Sequence, residues 1–250
     1  MHLSRTTAPR TRRDDVARAA RFAGAREGRV GFAVLDDRGR LRGVHRTSSF
    51  YAASIVEPML MVALLRSAGD AEVPAADRAL LDPMMAAADT AAAIAAFERV
   101  RPAGLHALAR AAGMRRFSVM DHVLDAVITP ADQARFFLRL DVLVPHRHLP
   151  LAHTLLAQGD TGEIAGAAGD ARVLSRTGAR AGIAHEVALV RPTTGERLAL
   201  AVLTGSQPSA DYARETIRGV ADRVLSPRAG RDAAARRTPA TAAYSRPARR

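Results

Sequence analysis

The sequence predicts an α/β (α+β) fold: a five-stranded antiparallel sheet flanked by terminal helices, with an all-helical lobe inserted in the middle of the chain. Three observations carry this. Strand-like runs lie near both ends and not in between. Neighbouring runs are joined by turns so short that only antiparallel pairing fits them. The stretch 76–160 is rich in Ala and Leu and carries helical rather than alternating patterning.

The elements follow in order. Arg13 to Ala23 reads as a helix, with Val16, Ala19, Ala20 and Ala23 on one stripe. Arg29 to Asp36 alternates and then runs apolar. Asp37-Arg-Gly-Arg40 reads as a turn, and Leu41 to Arg46 returns as a second strand, giving a hairpin. Ala52 to Ser67 is apolar at helical spacing and ends at Gly69-Asp70. Helices fit 77–87, 89–99, 102–112 and 130–140; the last starts at Thr129-Pro130, with Thr at the N-cap and Pro in the first turn. Ala171 to Ser175, Ile183 to Arg191 and Glu196 to Thr204 read as strands, the last two joined by a turn at 192–195. Asp211 to Leu225 is an amphipathic closing helix.

Composition excludes several chemistries. The chain of 250 residues has no Cys, so it offers no disulfide, thiolate nucleophile or Cys-ligated metal centre. It has no Lys; all 37 basic residues are Arg, and Schiff-base chemistry, a P-loop lysine and a Ser–Lys dyad are excluded with it. Arginine does not replace lysine as a base, because it stays charged at any accessible pH.

The net charge of +12 sits at the ends. Residues 1–29 hold eight Arg against three acids and 226–250 seven Arg against one, which leaves the body, 30–225, at +1. The organisation expected is a basic N-terminal segment and first helix over 1–28, a domain over 29–225 and a disordered basic tail over 226–250. Within the domain, 29–70 and 171–225 form an α/β lobe and 71–170 a helical lobe. Basic ends read either as a weak contact for nucleic acid or an acidic surface, or as solvated tails. No apolar run follows the N-terminal arginines and none is long enough to span a bilayer. The expectation is a cytoplasmic monomer with no membrane partner, exported only if the true start lies upstream.

Several segments, taken in order, resemble the class A β-lactamase-like serine hydrolases and the wider penicillin-interacting enzymes, with the closest likeness to the variant abundant in actinobacteria. Gly28-Arg-Val-Gly-Phe-Ala-Val-Leu-Asp36 looks like the family's first strand. Ser54-Ile55-Val56-Glu57 sits where the family has Ser-x-x-Lys, Ala88-Asp89-Thr90 where it has Ser-Asp-Asn, and Arg176-Thr177-Gly178 where it has Lys-Thr-Gly. Thr129-Pro-Ala-Asp-Gln-Ala-Arg135 resembles a helix after the family's loop, and His185 to Val190 and Ala201 to Thr204 resemble its last strands. The likeness spans about 29–225.

The resemblance implies Ser54 as a nucleophile at a helix start, with its own amide helping to form an oxyanion hole. It implies acyl transfer from a β-lactam or peptide-like amide. It also shows what is missing. The lysine position is Glu57, the serine of the second motif is Ala88 and its asparagine is Thr90. The loop 117–126 has no Glu, leaving Asp121 and Asp125 as candidates only by proximity in sequence. Asp89, Thr90, Arg176, Thr177 and Gly178 are the implied substrate-binding positions, with Arg176 keeping a positive charge for a substrate carboxylate.

Each residue also has a plainer reading. Ser54 caps a helix; Asp89 caps the next. Glu57 is either a replacement base at i+3 from Ser54, or a salt-bridge partner of Arg176 that closes the old site, or drift. His146, His148 and His153 lack a carboxylate at ligand spacing, so no metal and no cofactor is expected. The functions that remain are a β-lactamase-like protein with impaired or lost serine chemistry, an active hydrolase using Ser54 and Glu57, and a non-catalytic binder using its basic termini. The first two take a small-molecule or peptide-like ligand between the lobes.

Overall fold

A computed structural model of the chain describes residues 11–158, 162–193 and 196–225. The tail expected over 226–250 and the first ten residues of the basic N-terminal segment lie outside the described residues.

The chain opens with α1 (Arg12–Gly24), started by a capping box in which the side chains of Thr11 and Asp14 each accept the other's backbone amide. Strands β1 (Arg29–Asp36) and β2 (Leu41–Val44) form the first hairpin. A short strand β3 (Phe50–Tyr51) leads into a 3-10 turn at Ala53–Val56 and then α2 (Glu57–Ala68). Next come α3 (Ala75–Ala87) and α4 (Thr90–Ala112), the latter broken at Arg101. Strand β4 (Val127–Ile128) precedes α5 (Pro130–Leu138), α6 (Leu140–Leu143), α7 (Leu149–Ala157) and α8 (Glu163–Ala167). The chain returns through β5 (Arg172–Arg180), β6 (Ile183–Arg191) and β7 (Leu198–Gly205) to α9 (Ala210–Leu225).

The fold is mixed α and β, built on a five-stranded sheet of order β2-β1-β7-β6-β5 in which every pairing is antiparallel. Its centre joins strands from opposite ends of the chain, with Arg29 opposite Gly205 and Asp36 opposite Leu198. Period-2 alternation divides the sheet's side chains between two cores. Ala33, Leu174, Val187, Leu189, Ala201 and Leu203 pack on the front with Met59, Leu60, Phe136 and the other helices of the middle. Phe32, Val34, Ala188, Leu200 and Val202 pack on the back with Val16 and Ala19 of α1, Ile164 of α8 and Ile217 and Val220 of α9.

Three details depart from the sequence reading. The strand expected over 171–175 continues to Arg180, which brings Arg176, Thr177 and Gly178 into β5 at the sheet's edge. The middle does contain a strand: β4 pairs with β3 through Phe50–Ile128 and Tyr51–Val127. Two residues are too short a run to show alternation. The helices α6, α7 and α8 were not expected, and the helix expected to reach 140 stops at Leu138. No helix among the described residues is long and apolar enough to cross a membrane.

Candidate active site

The site forms where the edge of β5 meets the turn before α2. Ala53 is held at φ 44°, a conformation that costs a non-glycine residue of order 1 kcal/mol or more. Ala52 donates its amide to Ala126 O at 2.8 Å, which ties this turn to the loop before β4. Ser54, half-buried, lies inside the 3-10 turn, and Val56 is the N-cap of α2 with no side-chain cap bond, so Ser54 is not a helix cap.

Gly178 explains how closely the strand approaches. A Cβ on Gly178 would lie 3.1 Å from Ser54 N and 3.3 Å from Ile55 N, so the bare α-carbon lets β5 lie against the Ser54 amide where a side chain would need a few tenths of an ångström more room. Arg176, two residues earlier on the same face, reaches past Ser54. Its Nε donates to Ser54 O at 3.4 Å, and its terminal nitrogens donate to Met84 O at 3.0 Å, to Met85 O and to the Glu57 carboxylate. Those carbonyls belong to the last turns of α3, whose dipole favours a cation there.

Glu57 and Arg176 therefore form a buried ion pair, with 5% exposure of each side chain. Burial pushes the Glu57 carboxyl up to about 6, even though the charge of Arg176 and the Ser54 side chain pull it down; the charge of Asp89 adds to the rise. Burial lowers Arg176 from its ordinary value, and Glu57 opposes that shift. The guanidinium is turned inward, and its donors are taken up by carboxylate and carbonyls rather than presented to the cleft.

The other expected site residues are placed as follows. Asp89 is exposed and accepts the Ala92 amide at 2.9 Å as the N-cap of α4, which begins at Thr90. Ala88 adopts a left-handed conformation at the end of α3. Thr177 alternates to the back of the sheet, away from Ser54, where it lines a cavity opposite Glu186. Asp121 and Asp125 are both exposed. His153 bonds to Asp141 at 2.8 Å, and no group of three potential metal ligands occurs among the described residues.

Sequence reasoning missed His185. Paired opposite Gly178 on β6, it is 1% exposed and bonds the Tyr51 carbonyl at 2.8 Å, just upstream of Ser54. Its Nδ1 lies 2.8 Å from Ala184 O and 3.1 Å from the Thr204 amide, so both ring nitrogens are held by backbone. Burial pushes the ring down to about 4, which keeps it neutral at ordinary pH. Nothing in its local sequence marks it, because its partners come from distant segments. The arrangement as a whole holds a serine at a strained turn, its amide facing an edge strand, and a carboxylate three residues on that is already paired.

Comparison with known proteins gives the family. The profile of the beta-lactamase enzyme family matches residues 75–226, more than half of the chain. The chain belongs to this family. No curated protein matches it. Among solved structures, this β-lactamase-family chain is similar to the β-lactamase from Sphaerobacter thermophilus DSM 20745, at 20% identity over 85% of this chain and 96% of that one, with a TM-score of 0.74. It is similar to the class A β-lactamase from Mycobacterium abscessus at 21% identity, covering 84% and 98%, with a TM-score of 0.71. It is also similar to a structure of PBP-A at 15% identity, covering 85% and 94%, with a TM-score of 0.74. At these identities the likeness is one of fold.

Proposed function

We propose that this β-lactamase-family chain has lost acyl transfer to Ser54, and that its cleft binds a small-molecule or peptide-like ligand without turning it over. The observation that carries this is the Glu57–Arg176 pair. Activating a serine hydroxyl requires a base free to take its proton as the oxygen attacks the carbonyl carbon. The group at i+3 from Ser54 is a carboxylate held by a guanidinium, and Ala88 has no hydroxyl to return a proton to a leaving nitrogen. Electrostatic help from the Ser54 amide beside Gly178 remains, but oxyanion stabilisation alone does not generate a nucleophile.

The test is intact-mass spectrometry of the folded protein after incubation with a fluorescent penicillin and with a fluorophosphonate, with Ser54→Ala as control. No adduct on the wild-type chain is expected. A stoichiometric adduct that disappears in Ser54→Ala would overturn the proposal.

One observation favours a second reading, an active hydrolase on an amide, ester or lactam. Glu57 lies three residues after Ser54, and burial raises its carboxyl to about 6, which makes it a better base than an exposed glutamate. The same mass experiment decides between the two. A third reading, contact with nucleic acid or an acidic surface through the basic ends, concerns segments outside the described residues. Salt-sensitive DNA binding that is lost when both ends are deleted would support it.

A further inference from the structure

Helices α1 and α9 run antiparallel behind the sheet, so the start of α1 meets the end of α9. Arg12 donates to Val224 O at 3.3 Å and Arg18 to Arg223 O at 3.2 Å, while at the other end Arg26 donates to Tyr212 O at 3.1 Å. Residues 1–10 therefore join the fold at Thr11, and residues 226–250 leave it at Leu225, at one and the same corner.

That corner concentrates the charge of the chain. Residues 1–10 carry two Arg and no acid, and 226–250 carry seven Arg against Asp232, so +8 of the net charge of +12 is tethered there. A chain reaches at most ~3.5 Å per residue, which keeps Arg5, Arg10, Arg228 and Arg231 within ~20 Å of their points of attachment whatever path the backbone takes. The outer face of α1 adds Arg13 and Arg21, both exposed and without an ion pair among the described residues. The acids of the same corner, Asp14, Asp15 and Asp222, already have partners.

We infer that this corner is a single grip for double-stranded nucleic acid, in which residues 1–10, the start of α1 and residues 226–250 hold one stretch of phosphate backbone together. This rests on the contact through the basic ends given above as a third reading, and adds that the two ends work jointly. Arginine forks take phosphate oxygens bidentately, and such contacts read no base sequence. A lipid surface is disfavoured, because 226–250 contain no Leu, Ile, Val, Phe or Met to enter a bilayer interface. A single strand is disfavoured too, since Tyr244 is the one aromatic residue of that segment on which a base could stack. Two segments tethered at one corner meet the same duplex at high effective concentration; at opposite poles each would bind alone.

The probe is a fluorescent DNA duplex of mixed sequence, followed by anisotropy with the full-length chain. Its Kd should rise ~100-fold between roughly 50 and 200 mM KCl. The variant Arg5→Gln/Arg10→Gln/Arg13→Gln should weaken the duplex about tenfold even though 226–250 are intact, and Arg228→Gln/Arg231→Gln/Arg236→Gln/Arg237→Gln should weaken it about a hundredfold. Arg115→Gln/Arg116→Gln removes exposed charge beside α5 instead and should leave Kd unchanged. The replaced side chains are exposed or lie outside the described residues, so Tm should not move in any variant. No salt-sensitive binding by the wild-type chain would sink the contact and the joint grip together. Binding that the Arg5, Arg10 and Arg13 replacements leave unchanged would spare the contact through 226–250 and overturn the joint grip. An equal loss from the Arg115 and Arg116 replacements, or tighter binding to phosphatidylserine vesicles than to the duplex, would overturn it as well.

Discussion

Glu57 and Arg176, 119 residues apart in the chain, close on one another behind Ser54 as a buried ion pair. Removing one partner of such a pair leaves an uncompensated charge, and the two partners differ in how they respond. A carboxyl can take up a proton; a guanidinium cannot give one up. Glu57→Gln should therefore destabilise the protein by about 3 kcal/mol, and Arg176→Met by less at pH 5, where Glu57 is protonated. The double variant should cost less than the sum of the two, by a coupling energy of about 2 kcal/mol in urea denaturation. Additive single effects would show that the two do not act as a unit.

The Glu186 carboxyl is raised by burial from an ordinary 4.5 to about 7, against the pull of the Ile164, Glu163 and Ala165 amides. A raised acid is neutral in both states below the lower value and ionised in both above the higher one. Between them the unfolded chain is the more ionised, so stability falls as pH rises, here by roughly 2–3 kcal/mol. Glu57 contributes a smaller fall that is complete by about pH 6. Asp36 and Asp141 act in the opposite sense. Burial pushes both up, but bonds from Arg40, and from His153 and Arg191, hold them below their ordinary value. Their contribution is lost only as pH drops below the usual carboxylate range. Glu186→Gln should thus be more stable than wild type at pH 8 by about 2 kcal/mol, with the gain gone at pH 4.5. A pH-independent difference in chemical denaturation would contradict this.

Gly178→Ala should push β5 off the turn that holds Ser54, because the new methyl would meet backbone nitrogens at 3.1 and 3.3 Å. A cost of about 1–2 kcal/mol is expected. Gly166→Ala, in α8 with nothing within 4 Å, is the control and should stabilise by roughly 0.5 kcal/mol. Thermal unfolding of the two variants should show Tm changes of opposite sign.

Arg101 interrupts α4 at φ 60° and ψ 160°, a conformation suited to glycine, immediately before Pro102. Arg101→Gly should relieve the strain and raise stability by about 1 kcal/mol. Arg110→Gly, in regular helix, should lower it by about 1 kcal/mol. Loss of stability in both would mean that the Arg101 side chain outweighs its backbone.

The strands of the main sheet were legible because the two-residue period and the short turns act locally, as in Arg29 to Asp36 and Ile183 to Arg191. The end of β5 was not: Arg176, Thr177 and Gly178 are polar or small, and only pairing with Val187, Glu186 and His185 holds them extended. In the site, the family resemblance grouped Ser54, Glu57 and Arg176, and the salt bridge was one of three readings for Glu57. That Arg176 would turn inward was not readable, since the carbonyls of Met84 and Met85 have no signature in side-chain identity. Thr177 was assigned to the cleft, whereas strand alternation sends it to the rear cavity.

The central seam of the sheet, β1 against β7, has a consequence for synthesis. Asp37 and Arg197 bond across 160 residues of chain, so β1 emerges from the ribosome long before its inner neighbour exists. At ordinary elongation rates the wait is roughly ten to thirty seconds. Through that interval the nascent hairpin exposes the apolar faces of Phe32 and Val34 and a row of open amides. This is the species that a chaperone would be expected to meet first.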